Sequence, residues 1–383
     1  MKDSVIQTIK NDDGDRYEGE VKDGVPHGYG ISYSANGDRY EGEWQNGEMN
    51  GHGKGIFAGG DCFEGEYKDD ERNGHGIYYY TAENKYKGDR FEGEYKNGER
   101  NGFGIYYYAD GSRDEYEYKD GKANGKGKSV FNDGDRYEGE IKDDAWDGYG
   151  IYYWANGDRY EGEWKNGNKH GRGTQYFANG NRIECEYKDD KPNGYGKEYF
   201  SDGNRYEGEF KNDNWNGRGV YCFADGDRYE GEWKNGKENG HGIRYFADGD
   251  RYEGEFRNNK WHGQGTYYWA DGDRFEGEWK NCKRSGHGVY YCADGDRYEC
   301  EWKNGKANGR GIHYFAADGE FKGDRFEGEY KNSKRHGVGT YYWADGSYET
   351  GEWKNDKENG KAIEYFPDGG REEHEYKNGK RIK

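Results

Sequence analysis

Two glutamates one residue apart, as Glu161 and Glu163 in "DRYEGEW", form the kind of pair from which acid/base catalysis or calcium coordination is built. In an extended segment alternate residues share a face, so both carboxylates would point the same way. A catalytic pair is singular, however, and this one is copied along the whole chain, each time between basic residues such as Arg159 and Lys165. A solvated ladder of ion pairs is therefore its expected role. The ten histidines raise the question of metal binding. His27, His52, His75, His170, His241 and His287 fall near the ends of successive hairpins, about 10 Å apart at two strand spacings, too far to share an ion. "GHGKG" at 51–55 has the glycines of a phosphate-cradling loop, but it follows a turn and precedes no helical pattern. The six cysteines form no CxxC pair and read as free thiols in a reducing compartment. No Ser/His/Asp or Cys/His constellation rises above the repeating pattern. No catalytic residue, cofactor site or metal site is expected, and the chain reads as a non-enzyme.

The elements that hold these residues must be built from rings. Of 383 residues only 30% are apolar, and 41 Tyr, 16 Phe and 12 Trp leave few aliphatic side chains for a thick core. Sixty-nine Gly and 36% charged residues would suggest disorder without those aromatics. The formal net charge of −19 argues against nucleic acid and disfavours anionic membrane lipid as a partner. The sequence has no apolar run near the roughly 20 residues of a membrane helix, and "MKDSVIQTIK" lacks the apolar stretch of a signal peptide. A soluble, cytoplasmic protein is expected.

One period governs the chain. Fifteen repeats run from Asp15 to Gly369, each of 23 residues except the third and thirteenth, which carry five-residue insertions near 84–88 and 319–323. Residues 1–14 form a leader and 370–383 a half repeat expected to act as a cap. Counting from the Asp of "DRYEGEW", position 6 is Glu and position 14 is Gly in every repeat. Positions 3, 5 and 7 alternate with charged positions 2, 4, 6 and 8, the signature of a strand with one ring-bearing face. "KNG" supplies a turn, a second strand covers positions 15 to 21, and "DG" or "NG" closes the unit. The expected fold is all-β, an elongated single-layer twisted antiparallel sheet of tandem β-hairpins.

A two-residue "DG" turn would set Tyr245 across from Tyr252 and Ile243 across from Gly254. Parity then asks for an odd-numbered "KNG" connection or a bulge, met by a type I turn with a left-handed glycine. Rings at positions 3, 7 and 19 would pack as the core, with Arg251 meeting Phe246 on the other face. The insertions, each followed one repeat later by a degenerate unit ("SRDEYEYKDG" and "SYETGEWKND"), would mark bends where the ring stack is interrupted.

"YEGEWKNGKENGHGIRYFADGDRYEGEF", Tyr229 to Phe256, resembles the MORN (membrane occupation and recognition nexus) repeat, with its Tyr-x-Gly-x-aromatic strand, Asn-Gly turn and Gly-x-Gly second strand. The resemblance implies an elongated hairpin array that acts as a scaffold at membranes, cytoskeleton or cilia, some members of the family pairing with themselves. The expected partner is a protein, taken as a peptide or helix in an aromatic groove, with a homodimer as a further expectation. A phosphoinositide-binding membrane adaptor is the alternative. Candidate partner-binding residues are the basic hairpin tips Lys260, Lys283, Arg284, Lys334 and Arg335. To these are added the aromatic-face residues Tyr229, Trp233, Tyr245, Tyr252, Trp279 and Trp302, whose role is expected to be mainly structural.

Overall fold

The computed structural model describes residues 5–316 and 318–383, so Met1–Ser4 of the leader and Ala317, just before the second insertion, lie outside the described residues. The described residues hold strands and turns and no α-helix, hence no helix long and apolar enough to cross a membrane. Thirty-three strands follow one another from β1 (Val5–Lys10) to β33 (Lys380–Arg381), numbered in chain order. They fall into two compact units, Met1–Lys191 and Pro192–Lys383. Within each, successive strands pair antiparallel in an open sheet, one hairpin per repeat.

The tenth repeat shows how the sequence sets the register. β20 (Arg228–Lys234) and β21 (Lys237–Tyr245) are joined by Asn235 and Gly236, both left-handed at φ 50° and 72°, a two-residue type I′ turn rather than the expected type I turn. Gly231 pairs with Gly242 but Trp233 pairs with Glu238, so one residue of β20 opposes three of β21. This wide bulge keeps the two strands in phase.

The connection to β22 (Arg251–Arg257) takes five residues, Phe246 to Asp250, closed by Phe246 N–H donating to the Asp250 carbonyl at 3.0 Å. Arg244, not Tyr245, therefore stands across from Tyr252, Gly242 stands across from Gly254, and Tyr245 faces Arg251. A one-residue slip moves a whole side-chain row to the other face. Position 19 accordingly leaves the core, and positions 18 and 20 join positions 3 and 7 in it. The arginine of position 2 stacks on position 19 of its own repeat, as Arg251 does on Tyr268 at 4.3 Å, while Phe246 lies on the core face with Trp261.

The outer face carries the ion-pair ladder in part. Arg159 and Glu161 approach to 3.5 Å, and similar Arg–Glu pairs recur at positions 2 and 4. Such exposed pairs add little stability. The second glutamate does something else: Glu163 accepts the backbone N–H of Arg172 at 3.2 Å and closes the wide bulge, as Glu209 and Glu255 do in their repeats. Position 1 is a staple. The Asp158 carboxylate accepts the Ala178 N–H at 2.8 Å, 20 residues on, and the same bond ties each turn to the next in most repeats.

Candidate functional site: the aromatic face

The core face is assembled around the ring at position 3. Tyr229, Tyr252 and Phe275 are fully buried although no second sheet covers them. Each ring lies flat over two cross-strand glycines, at positions 5 and 16, where a side chain would collide with it. The Tyr229 hydroxyl reaches over Gly242 and donates to the Glu232 carbonyl at 3.0 Å. Edge-on rings at position 7 close the sides: Tyr229 meets Trp233 at 5.1 Å and Phe256 at 4.8 Å, both T-shaped. The Trp233 Nε1–H donates to the Gly219 carbonyl at 3.2 Å, tying adjacent hairpins together. Position 12 forms a lid. Trp146, Trp215 and Trp261 stack on Tyr137, Tyr206 and Tyr252 at 4.3, 4.4 and 4.6 Å.

Position 18 decides whether this face is filled. In seven repeats it is Tyr, packed beside the lid. In repeats 1 and 2 it is Ser32 and Gly55, and in repeat 5 it is Ser129. Missing rings leave grooves at those places. One of about 700 Å³ is lined by Tyr17, Tyr40, Trp44, Met49, Phe57 and Arg72 among others. A second of about 510 Å³ lies beside Ser129, Phe131 and Trp146. The first has the size of a ligand-binding cleft and combines rings with the charged Arg72, Asp70 and Glu71.

A family model described as the MORN repeat matches fifteen consecutive segments, from residues 17–39 to residues 350–371. The chain belongs to the MORN repeat family. Three of the matches begin late, at residues 117, 186 and 350, in the repeats whose third position is Asp114, Ile183 or Glu349 instead of a ring. MORN repeats are a non-enzymatic repeat family. No curated protein matches the sequence. Among solved structures, the SAS-4 (dCPAP) TCP domain of Drosophila melanogaster in complex with a proline rich motif of Ana2 (dSTIL) is similar at 14% identity. The likeness covers 42% of this chain and 85% of that one, with a TM-score of 0.29. The TCP10 domain of Danio rerio CPAP is similar at 15% identity over 51% of this chain and 93% of that one, TM-score 0.31. A virginiamycin B lyase from Staphylococcus aureus is similar at 15% identity over 72% and 85%, TM-score 0.12. Likenesses this weak carry no argument about function.

The residues singled out in the sequence divide sharply in this MORN array. Tyr229, Trp233, Tyr252, Trp279 and Trp302 are all buried core-face rings. Tyr245 lies on the opposite face, its ring 4.9 Å from Arg228. Lys260, Lys283 and Lys334 are exposed near the turns, as expected of tips. Arg284 and Arg335 are not tips. They occupy position 12, the lid, with their guanidinium groups 4.3 Å from Trp302 and 4.4 Å from Trp353. Arg284 also donates to the Gly305 carbonyl at 3.0 Å, and burial lowers its pKa. The two-residue turn, where sequence counting expected an odd-numbered connection, pairs position 12 directly with the core ring at position 7 and so puts it inside.

The degenerate fifth repeat does not interrupt the stack. Tyr116, at position 5, is buried and takes the space over Gly127 that a position 3 ring would fill, with its hydroxyl 2.9 Å from Ser129 Oγ. One buried cluster runs from Tyr40 through Tyr116 and Tyr118 to Ile141. The first insertion adds its own ring, Tyr86, 5.8 Å from Tyr80, and the second adds Phe321, 6.1 Å from Phe315.

Several core-face positions hold titratable groups. Burial raises the pKa of Glu238, which pairs with Arg244 at 3.0 Å, and of Glu198, which accepts the Trp215 Nε1–H at 2.9 Å. Burial holds His313 below its ordinary value against the opposing pull of Asp296, 2.9 Å away. Burial pushes the Cys300 thiol up to about 12. Glu198 and His313 stand at position 18 where seven repeats carry Tyr, Glu238 stands at lid position 12 and Cys300 replaces a position 5 glycine, and all are disposed to hold structure rather than to turn over a substrate.

Proposed function

We propose that this MORN protein is a non-catalytic scaffold that engages a protein partner through the aromatic groove of its first repeats and assembles at a cytoskeletal, ciliary or membrane-associated structure. The observation that carries this reading is the groove of about 700 Å³ opened by Ser32 and Gly55 in a face that seven other repeats fill with their own tyrosines. Rings and an arginine bordering a cleft suit an extended or helical peptide segment, whose apolar side chains would replace the absent rings. Ser32→Tyr fills the groove with the residue that seven other repeats carry at this position.

The test is affinity capture with the full chain, a photocrosslinking residue replacing Met49, and mass spectrometry of crosslinked segments. A protein segment crosslinked at residue 49 and lost in the Ser32→Tyr variant supports the reading. Crosslinks unchanged by the filled groove overturn it. Light scattering of the same samples reports self-association. The phosphoinositide adaptor loses support from the lid positions of Arg284 and Arg335, which remove two of five cations from the basic tips. Flotation with phosphoinositide vesicles at physiological salt is expected to leave the protein unbound.

A further inference from the structure

At the last full repeat the core face changes its chemistry. Position 3 is Glu349 where other repeats have mostly rings, position 18 is Glu364, and position 5 of the following half repeat is His374 where glycine is the rule. The three stand on adjacent strands, β30 (Tyr348–Lys354), β31 (Lys357–Tyr365) and β32 (Arg371–Lys377). Glu349 pairs directly across from Glu364, and His374 pairs with Ala362, two residues along the same strand. One ligand atom from each of the three lies within 4.8 Å of the others.

Two features set this group apart from an ordinary surface cluster. Glu349 is 4% exposed, and two carboxylates directly opposed across strands destabilise a sheet unless something of positive charge lies between them. The His374 side chain is wholly buried, with Nε2 2.9 Å from Glu364 Oε2, and its Nδ1 is buried without a partner. With Nε2 donating to Glu364, Nδ1 is a stranded acceptor.

We infer that Glu349, Glu364 and His374 form a binding site for one divalent transition cation of the zinc class, which fastens the last three core strands of the array. An imidazole with two carboxylates is a donor set for zinc, whereas calcium and magnesium take oxygen ligands. Two carboxylates and a divalent ion sum to zero charge, which removes the cost of the opposed glutamates. Ligand atoms around a tetrahedral zinc at about 2.1 Å stand roughly 3.4 Å apart, so the group closes with shifts of about an ångström. Glu364, 24% exposed, marks the side open to solvent. Tyr376 donates its hydroxyl to Glu349 Oε2 at 3.0 Å and orients that carboxylate as an outer partner. The ion takes the Nε2 lone pair while the ring's single proton moves to Nδ1, and protonation of the ring or of the carboxylates competes with the ion, so affinity falls as pH falls. The hairpin-tip histidines weighed in the sequence take no part.

The experiment uses the full chain with Cys282→Ser to remove an exposed thiol, stripped with a chelator and titrated with Zn²⁺ by calorimetry and with Co²⁺ by visible absorption. The variants His374→Gly, and Glu349→Tyr combined with Ala362→Gly, install residues that other repeats carry at those positions, so both are expected to fold. One Zn²⁺ per chain is expected, with affinity lowered at least about tenfold in each variant and unchanged in His241→Ala. Zn²⁺ should also slow amide exchange across residues 347–377 in the parent and not in His374→Gly. Equal Zn²⁺ affinity in the parent and both variants, or the absence of saturable binding, overturns the assignment.

Discussion

Replacing Gly242 by alanine tests the packing rule on which the whole array depends. A Cβ there would lie 2.5 Å from the Tyr229 hydroxyl and 2.6 and 2.7 Å from two ring carbons, closer than atoms can approach. The ring cannot step aside, because Trp233 and Phe256 hold its edges and its hydroxyl is tied to the Glu232 carbonyl. Overpacking of this kind costs ~1–3 kcal/mol, and losing the buried hydroxyl bond adds ~1 kcal/mol, so a local loss of about 3 kcal/mol is expected. Tandem repeats do not unfold as one cooperative block, which makes a single melting temperature a poor measure. Amide exchange across residues 227–260 is the appropriate assay, and about 3 kcal/mol corresponds to roughly a hundredfold loss of protection. The decisive comparison is a double-mutant cycle. Tyr229→Ala alone opens a cavity worth ~3–5 kcal/mol, but in that background Gly242→Ala should cost almost nothing, because the atoms it struck are gone. Additive effects, or unaltered protection in Gly242→Ala, would show that the ring does not require the glycine.

Asp250→Ala removes the acceptor of the Ala270 N–H at 2.9 Å and of the Tyr267 hydroxyl, and should lower local stability by about 2 kcal/mol, measured by exchange at the 269–273 turn. Asp248→Ala, which loses only the 3.1 Å bond from the Asp250 N–H, should cost well under half as much. His313 is held below its ordinary pKa by burial, so its contribution is intact above the unfolded value near 6.5 and declines as pH falls through the folded value. Between pH 6.5 and 5 the parent should lose local stability relative to His313→Tyr, by at most about 1.4 kcal/mol per pH unit, and parallel pH profiles for the two would refute this. Iodoacetamide at pH 8 should label the exposed Cys282 roughly a hundred times faster than buried Cys300, whose thiol stands at about 12; comparable rates in the folded protein would contradict the packing.

The period, the strand at positions 2 to 8 and the hairpin per repeat were legible because alternation over seven residues is kept in most repeats and the degenerate fifth and fifteenth keep the same spacing. Which face the second strand turns inward was not. The regular aromatics at position 19 draw attention as core, yet they are regular because each lies against the arginine of position 2 on the outer face. Position 18 is the inward one and looks like noise: Ser32, Gly55, Tyr78, Glu198, Arg244 and His313 all occupy it. The choice between them rested on the length of the "DG" connection, which is five residues rather than two because the position 1 carboxylate folds back onto the next turn. That contact joins residues 20 apart and leaves no local trace. Arg284 and Arg335 were misplaced at the other turn, since a two-residue connection sets position 12 directly across from the core ring at position 7.

The substitutions on the core face nonetheless obey a rule that can be read backwards into the sequence. A ring at position 3 requires glycine at position 16, and the single repeat with alanine there, Ala362, is one without the ring. In repeat 5 the ring moves from position 3 to Tyr116 at position 5, and Gly127 is kept beneath it. Paired changes of this kind separate two cases that look alike as degenerate motifs. In repeat 5 the ring is relocated and the packing is preserved. In repeat 15 the ring is given up and Ala362 fills the vacated glycine, so Glu349, Glu364 and His374 cannot be read as drift within an intact stack. They replace the hydrophobic layer with a polar one, which must find its stabilisation from charge.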